Sequence, residues 1–358
     1  MKKLPQCRFC PSARGESGFS LVRFLIYVSV PLCVAFITLA ALWWVFWSPI
    51  DASDNAPQSI EIARDASLST IADELEKRGI VKHGWALRYA GRVSGKDGKI
   101  VAGEYEIRRS LSLVDLLAVI TSGKPIERKV VVREGVSIRE IGSIVETAGL
   151  LTRAEIDKAL ADRSLIKLSG SNNGQLEGYL FPETYFFSRP ITGREIVTRM
   201  LKVGLEHWSQ SFTDRAELLG MTRHQIMTLA SIIEKESGDV AEQPTISSVF
   251  HNRLKIQMPL QSDPTVIYGL GDQFDGNLTR AHLEAPTPYN TYTIAGLPPG
   301  PICNPGDSAI KAALFPAETE YLYFVANGAG RHIFSTTLEE HNAAVAQYQN
   351  PNPTPTPP

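Results

Sequence analysis

Residues 24–47 read FLIYVSVPLCVAFITLAALWWVFW, a run without a single charge. At ~1.5 Å rise per residue, a helix of that length spans roughly 36 Å, enough to cross ~30 Å of hydrocarbon with some tilt. Nothing in the run is polar enough to make an amphipathic face, so it does not read as a core helix. A cleaved signal peptide has a shorter apolar region, about 7–15 residues, followed by small residues. This run ends instead in Trp43, Trp44 and Trp47, whose rings favour the headgroup layer. Pro31 is a kink that a bilayer helix tolerates. The expectation is therefore a permanent transmembrane helix. Lys2, Lys3, Arg8, Arg14 and Arg23 precede it, and Asp51 and Asp54 follow. The positive-inside rule puts the tail, 1–23, in the cytoplasm and everything from residue 48 outside.

The net charge of −2 over 358 residues gives nucleic-acid binding no electrostatic support. Cys33 lies within the apolar run, and Cys303 is alone in the outer portion, so no disulfide is expected there. Cys7 and Cys10 form one C-x-x-C in the tail, without the second pair or the His that a structural zinc site needs. The seven His show no metal spacing, and G-x-S-x-G, H-E-x-x-H and Walker A motifs are absent. No metal and no cofactor is implied.

Residues 48–58 read as a linker and NPNPTPTPP, from 350, as an extended tail. Between them the chain repeats itself at an offset of 70. Ser67-Leu68 matches Ser137-Ile138, Ile71-Ala72 matches Ile141-Gly142, and Gly79-Ile80 matches Gly149-Leu150. Each copy follows a short β-like run, Ile60–Ile62 or Val130–Val132, and reads as strand, Ser N-cap, amphipathic helix and Gly stop. A second helix follows, and in the first copy the strand Gly103–Ile107 closes a β-α-α-β unit. Such a unit resembles the LysM module, which grips amino-sugar glycans; a support domain without a ligand fits the same pattern. Further on, Thr222 with Gln225 opens a helix through about Ser237, the stretch 258–306 is rich in Pro and Tyr, and Tyr321–Phe334 reads as a β-hairpin before a last helix near Thr337.

The helix Ala230-Ser-Ile-Ile-Glu-Lys-Glu-Ser237 carries the candidate chemistry. Ile226, Leu229, Ala230 and Ile233 make one apolar face, with Glu234 on one shoulder and Glu236 on the other. Glu234 follows the small Ala230 and Ser231, which leave room above it. A carboxyl so placed is partly desolvated, and desolvation helps it hold a proton near neutral pH, as a general acid must. A solvated or salt-bridged Glu is the alternative on geometry alone.

Four runs in order resemble the endolytic murein transglycosylase family. They are Leu176–Tyr185; Ala230–Ser237; Val249–Leu254 with Leu260–Gly269; and Tyr289–Gly300. The basic tail with its C-x-x-C and the Pro-rich end depart from the pattern. The resemblance implies that Glu234 is the catalytic acid. It protonates the oxygen leaving a MurNAc C1, and that sugar's own 6-hydroxyl closes a 1,6-anhydro ring. Glu177 and Glu183 bracket Gly178–Pro182 and serve either as a second carboxylate, as a charge partner of Glu234, or to fix the loop. Gln261, Ser262 and Asp263, an extended stretch before a Pro, suit sugar hydroxyls, and Tyr289, Asn290 and Tyr292 offer rings and an amide, with an N-cap role for Asp263 and core packing for the tyrosines as the competing readings. Arg253 is read as meeting peptide-stem carboxylates or pairing with Glu236.

The implied fold is α+β: tail 1–23, transmembrane helix 24–47, linker 48–58, LysM-like module 59–127, mixed α/β catalytic domain 128–345 and disordered tail 346–358. The implied setting is the bacterial inner membrane with the outer portion in the periplasm. The implied partners are nascent peptidoglycan strands and penicillin-binding synthases, with no nucleic acid. A hydrolytic muramidase and a non-catalytic glycan-binding scaffold of the synthesis complex are the rival functions.

Overall fold

The computed structural model describes residues 21–349, with side chains from Phe24. The C-x-x-C, most of the basic tail and the Pro-rich end lie outside the described residues. The described chain divides into two compact units between Pro125 and Ile126.

The first unit opens with α1 (Leu21–Trp47), which continues through Pro31. Its apolar stretch, Phe24–Trp47, has a mean hydropathy of 2.4 and is nowhere buried, so it is long and apolar enough to cross a membrane as an anchor or a signal sequence. The rest of the unit is β1 (Gln58–Ile62), α2 (Leu68–Lys77), α3 (Gly84–Val93), β2 (Gly103–Ile107) and α4 (Leu113–Thr121). Strands β1 and β2 pair antiparallel, with Ile60 opposite Tyr105. Ser67 caps α2 by accepting the Thr70 N–H. The inward residues Ile60, Ile62, Ile71, Leu75, Leu87, Tyr105 and Ile107 form one small core, and Val45 and Phe46 of α1 pack against it.

The second unit begins by repeating that frame. It contains β3 (Arg128–Val131), α5 (Ile138–Thr147), α6 (Arg153–Leu160), α7 (Arg163–Ser169) and β4 (Thr184–Phe187), with β3 and β4 antiparallel and Val130 opposite Tyr185. The offset of 70 holds in backbone detail. Ser137 caps α5 as Ser67 caps α2, and the turn before each cap passes through a left-handed residue, Asp65 (φ 66°) or Gly135 (φ 76°). The copies differ in length. The paired residues 60 and 105 are 45 positions apart, whereas 130 and 185 are 55 apart, the second copy having gained α7 and the loop after it.

The remainder is mostly helical: α8 (Gly193–His207), α9 (Gln210–Leu218), α10 (Arg223–Glu236), α11 (Gln243–Lys255), α12 (Asp263–Leu270), α13 (Arg280–Glu284), α14 (Asp307–Leu314), the hairpin β5 (Tyr323–Ala326) and β6 (His332–Ser335), and α15 (Leu338–Tyr348). Helix α10 starts at Thr222, with the capping box to Gln225 formed, and is buried from Ile226 to Ile233 against α14 and α11. The hairpin pairs Val325 with Ile333, and Thr337 caps α15. One expectation changes. Gln261–Asp263 is not a continuous extended stretch, because Asp263-Pro264 starts α12. A proline in the first helical turn forfeits no hydrogen bond there.

Candidate active site

Helix α10 ends among three stretches of chain that reach it from elsewhere in the second unit, and its two glutamates meet different ones. The room expected above Glu234 is taken. Ser231 Oγ accepts the Ile302 N–H at 3.0 Å, so the segment leading into α14 lies along this side of the helix. Glu234 Oε2 then accepts the Gly306 N–H at 3.1 Å. The carboxyl is half-buried. Its pKa is raised, first by loss of water and then by the neighbouring Glu134, with the Gly306 bond opposing. Glu134 lies so close to Gly306 that any Cβ there would run into its carboxylate. The acidic neighbour of Glu234 is thus Glu134, from the turn after β3, and neither Glu177 nor Glu183 contributes to its shift.

Glu236 faces the α12 side. Ser262 Oγ donates to its carboxylate, and Asp263, His332 and Arg253 are its polar neighbours. Removal from water pushes its pKa up to about 7, with Asp263 adding to the rise and the Ser262 bond, His332 and Arg253 working against it. Ser262 is itself buried, and its N–H is held by Thr291 Oγ1 at 2.9 Å. Gln261, exposed beside it at φ 53°, donates its N–H to Thr291 O. The Tyr292 hydroxyl donates to Asp263 Oδ1 at 2.6 Å. Ser262, Asp263 and Tyr292 therefore gather at Glu236 and not at Glu234, while Gln261 is exposed beside them. Asp263 is exposed at the first position of α12, and Ser262, not Asp263, occupies the N-cap.

The other expected residues separate into two groups. Glu177 is 1% exposed and forms the floor of a cleft of about 840 Å³ between α5–α7 and the end of α12. Its carboxylate accepts the Ile138 N–H at the start of α5 (3.0 Å), the Tyr268 hydroxyl (3.3 Å) and the Asn304 amide (3.3 Å), yet burial still pushes its pKa up to about 7. Tyr289 lines the same cleft, tilted against Tyr268 with centroids 4.9 Å apart. Arg139, Arg153 and Arg163 stand around the wall.

Asn290 and Glu183 are elsewhere. Asn290 is fully buried. Its amide donates to the carbonyls of Leu283 and Ala285, and its Oδ1 takes the Tyr292 N–H, so it shapes the loop that presents the tyrosines rather than meeting a ligand. Glu183 is exposed and accepts the N–H of Thr184, a local bond at the start of β4. Arg253 is buried and spends its guanidinium on the carbonyls of Leu322, Pro259 and Leu260, so it makes no direct pair with Glu236.

Two residues were not anticipated. Glu134 sits in an Arg-Glu-Gly turn that carries no motif, although the repeat, with its left-handed turn at Asp65, marks the position. Asn304 is fully buried: it donates to Val136 O and Glu177 and accepts the Leu180 N–H, tying three segments together. Its only signal is a lone Asn-Pro in a Pro-rich stretch. No group of acidic, His and Cys side chains able to hold a metal occurs among the described residues.

Residues 60–347 match the YceG-like family. The chain belongs to that family. It is 33% identical over 315 residues to the endolytic murein transglycosylase of Bacillus subtilis (strain 168), an alignment covering 84% of this chain and 87% of the relative. The endolytic murein transglycosylase of Streptococcus pneumoniae (strain D39) is 28% identical over 334 residues, 84% of this chain and 60% of that longer protein. A yceG-like protein of Listeria monocytogenes, solved at 2.6 Å, matches 80% of this YceG-like chain and 99% of its own, with a TM-score of 0.55 and 34% identity. The runs from Leu176 to Gly300 on which the resemblance rests all lie within the matched span.

Proposed function

We propose that this chain is an endolytic murein transglycosylase that cuts peptidoglycan glycan strands from the outer face of the membrane, with Glu236 as its proton donor. The near full-length match to the Bacillus subtilis enzyme supports the activity. The choice of acid rests on one observation: the carboxyl toward which Ser262, Asp263 and Tyr292 converge is that of Glu236, while Glu234 is engaged by the backbone at Gly306. This moves the proton donor two residues from the position expected by resemblance.

The chemistry follows from a carboxyl with a pKa near 7. In its protonated form Glu236 delivers a proton to the glycosidic oxygen leaving C1 of the MurNAc ring. The C1–O bond breaks and positive charge develops on the ring. The 6-hydroxyl of the same sugar attacks C1, and its proton passes to the Glu236 carboxylate, which restores the acid. One C–O bond is exchanged for another, and no water enters. A hydrolase needs a second carboxylate to activate water or bond the sugar; an internal nucleophile removes that requirement. Asp263, held by Tyr292, offers a second negative group beside the developing charge. Tyr268 and Tyr289 in the cleft beyond α12 offer ring faces to neighbouring sugars, and Arg163 on its wall offers a partner for a peptide-stem carboxylate, Arg139 and Arg153 being engaged by Asp272 and Asp157.

In this reading α1 is a permanent anchor and the β-α-α-β unit of residues 59–127 is a LysM-like glycan grip. Its antiparallel β1–β2 pair closed over two helices supports the likeness. The synthases that polymerise the strands are the expected neighbours.

The deciding experiment is digestion of purified sacculi by the full-length chain and by its Glu236→Gln and Glu234→Gln variants, with mass spectrometry of the products. Anhydro ends, lighter by one water than reducing ends, are expected from the wild type. The Glu236→Gln protein should make them at least about a hundredfold more slowly, and Glu234→Gln should retain activity. Reducing ends would make the enzyme a hydrolytic muramidase. The opposite ranking of variants returns the acid to Glu234, and no cleavage by the wild type leaves a glycan-binding scaffold.

A further inference from the structure

Helix α3 keeps a row of large side chains in the open. Trp85, Tyr89 and Val93 are 49%, 55% and 71% exposed, and they recur every four residues along one side of the helix. The opposite side is spent on the core of the first unit, through Ala86, Leu87 and Gly91. Three such residues in line are costly to leave in water and mark a surface that something covers.

Two features name the occupant. The row continues from the apolar helix: the Phe46 ring lies 6.1 Å from that of Tyr89, and Lys82 Nζ stands 4.6 Å above the ring of Trp44 and donates to Pro49 O at 3.1 Å. The end of α1 and the start of α3 are thus one surface. The charge along the stretch is mainly basic: residues 82–96 hold Lys82, Arg88, Arg92 and Lys96, with Arg88 paired to Asp73 and the first acidic residue following at Asp97. Aromatic rings flanked by cations suit the boundary between acyl chains and anionic headgroups.

We propose that α3 lies on the outer face of the bilayer, with Trp85, Tyr89 and Val93 inserted at the headgroup level and Arg92 and Lys96 on anionic lipid phosphates. This rests on the reading of α1 as a membrane anchor. The module then lies down on the membrane beside its anchor rather than standing off on a free linker.

The test uses the full-length chain and its Trp85→Phe variant in nanodiscs of phosphatidylethanolamine and phosphatidylglycerol. The emission difference between the two isolates Trp85. Lipids brominated high on the acyl chain should quench that difference by roughly half or more, and aqueous acrylamide should barely reach it. In the Trp85→Phe protein the remaining emission comes from Trp43, Trp44 and Trp47 of α1 and from Trp208 of the second unit, so its bromolipid-sensitive fraction reports on α1. If bromolipid leaves that emission unquenched, the anchor reading fails and this inference falls with it. If it is quenched while acrylamide reaches Trp85 freely and bromolipid does not, the anchor stands and the inference is overturned. Quenching of Trp85 only on addition of glycan fragments also overturns it, in favour of a sugar platform.

Discussion

Ser262 donates its hydroxyl to the carboxylate of Glu236, joining the N-cap of α12 to the last residue of α10. This bond favours the charged form of the acid and so restrains a pKa that burial drives upward. Replacing Ser262 with Ala removes the restraint. The proton-bound form of Glu236 then survives to higher pH, and the alkaline limb of the activity profile, set near pH 7 in the wild type, should move up by roughly one unit. Rates of sacculus digestion across pH check this. A limb that stays in place would mean that Glu236 does not control it.

Losing the acid outright should cost more than losing its partner. Glu236→Gln keeps the shape and cannot donate a proton from oxygen, so the rate should fall by about 10²- to 10⁴-fold at neutral pH. Binding of glycan fragments, measured by calorimetry, should be little altered in the same variant.

Glu177 gives a stability prediction. Its folded pKa of about 7 lies above the ordinary 4.5, so the folded state holds this proton more tightly than the unfolded chain does. The contribution is fully present below the unfolded pKa and is lost as pH rises through 7. Glu177→Gln keeps an acceptor for the Ile138 N–H and has no charge to bury. Its urea midpoint should be close to that of the wild type in mild acid and should exceed it above pH 7, by the equivalent of about 3 kcal/mol.

Gly178 should not tolerate a side chain. Its φ of 86° disfavours any residue with a Cβ, and a methyl there would run into the Pro301 ring. Gly178→Ala should cost roughly 2–4 kcal/mol in denaturant unfolding.

Asn304 should be intolerant too, for a different reason. Alanine there strands the buried Leu180 N–H, while the Val136 carbonyl keeps the backbone N–H of residue 304, so the cost should be roughly 1–3 kcal/mol. Because Glu177 also loses a donor, the cleft should lose affinity for glycan fragments in the same variant.

The β-α-α-β frame is legible in the sequence because its signals are local. Ser67 and Ser137 cap, Gly79 and Gly149 stop, and the apolar spacing between them has one period. The helix from Thr222 and the hairpin closing at His332 are legible for the same reason. The site is legible in its parts and not in its assembly. Helical geometry puts Glu234 and Glu236 on opposite shoulders of α10 but cannot say which shoulder the Ile302–Gly306 segment covers. That covering, set by Ser231 and by the absence of a side chain at Gly306, is a contact between residues some seventy positions apart. A buried amide that braces its own loop, as Asn290 does, has the same sequence appearance as one that meets a sugar.

The two copies of the β-α-α-β frame part company between the second helix and the returning strand, where only the later copy holds α7 and the loop with Glu177. Within that insert Glu177 holds the first turn of α5 and Tyr179–Phe181 belongs to the core, so the freedom to vary lies in its earlier, mostly exposed part, residues 161–175. Preferences among walls of different peptide chemistry should accordingly track residues 161–175, and grafting that stretch between homologues is a direct way to exchange them.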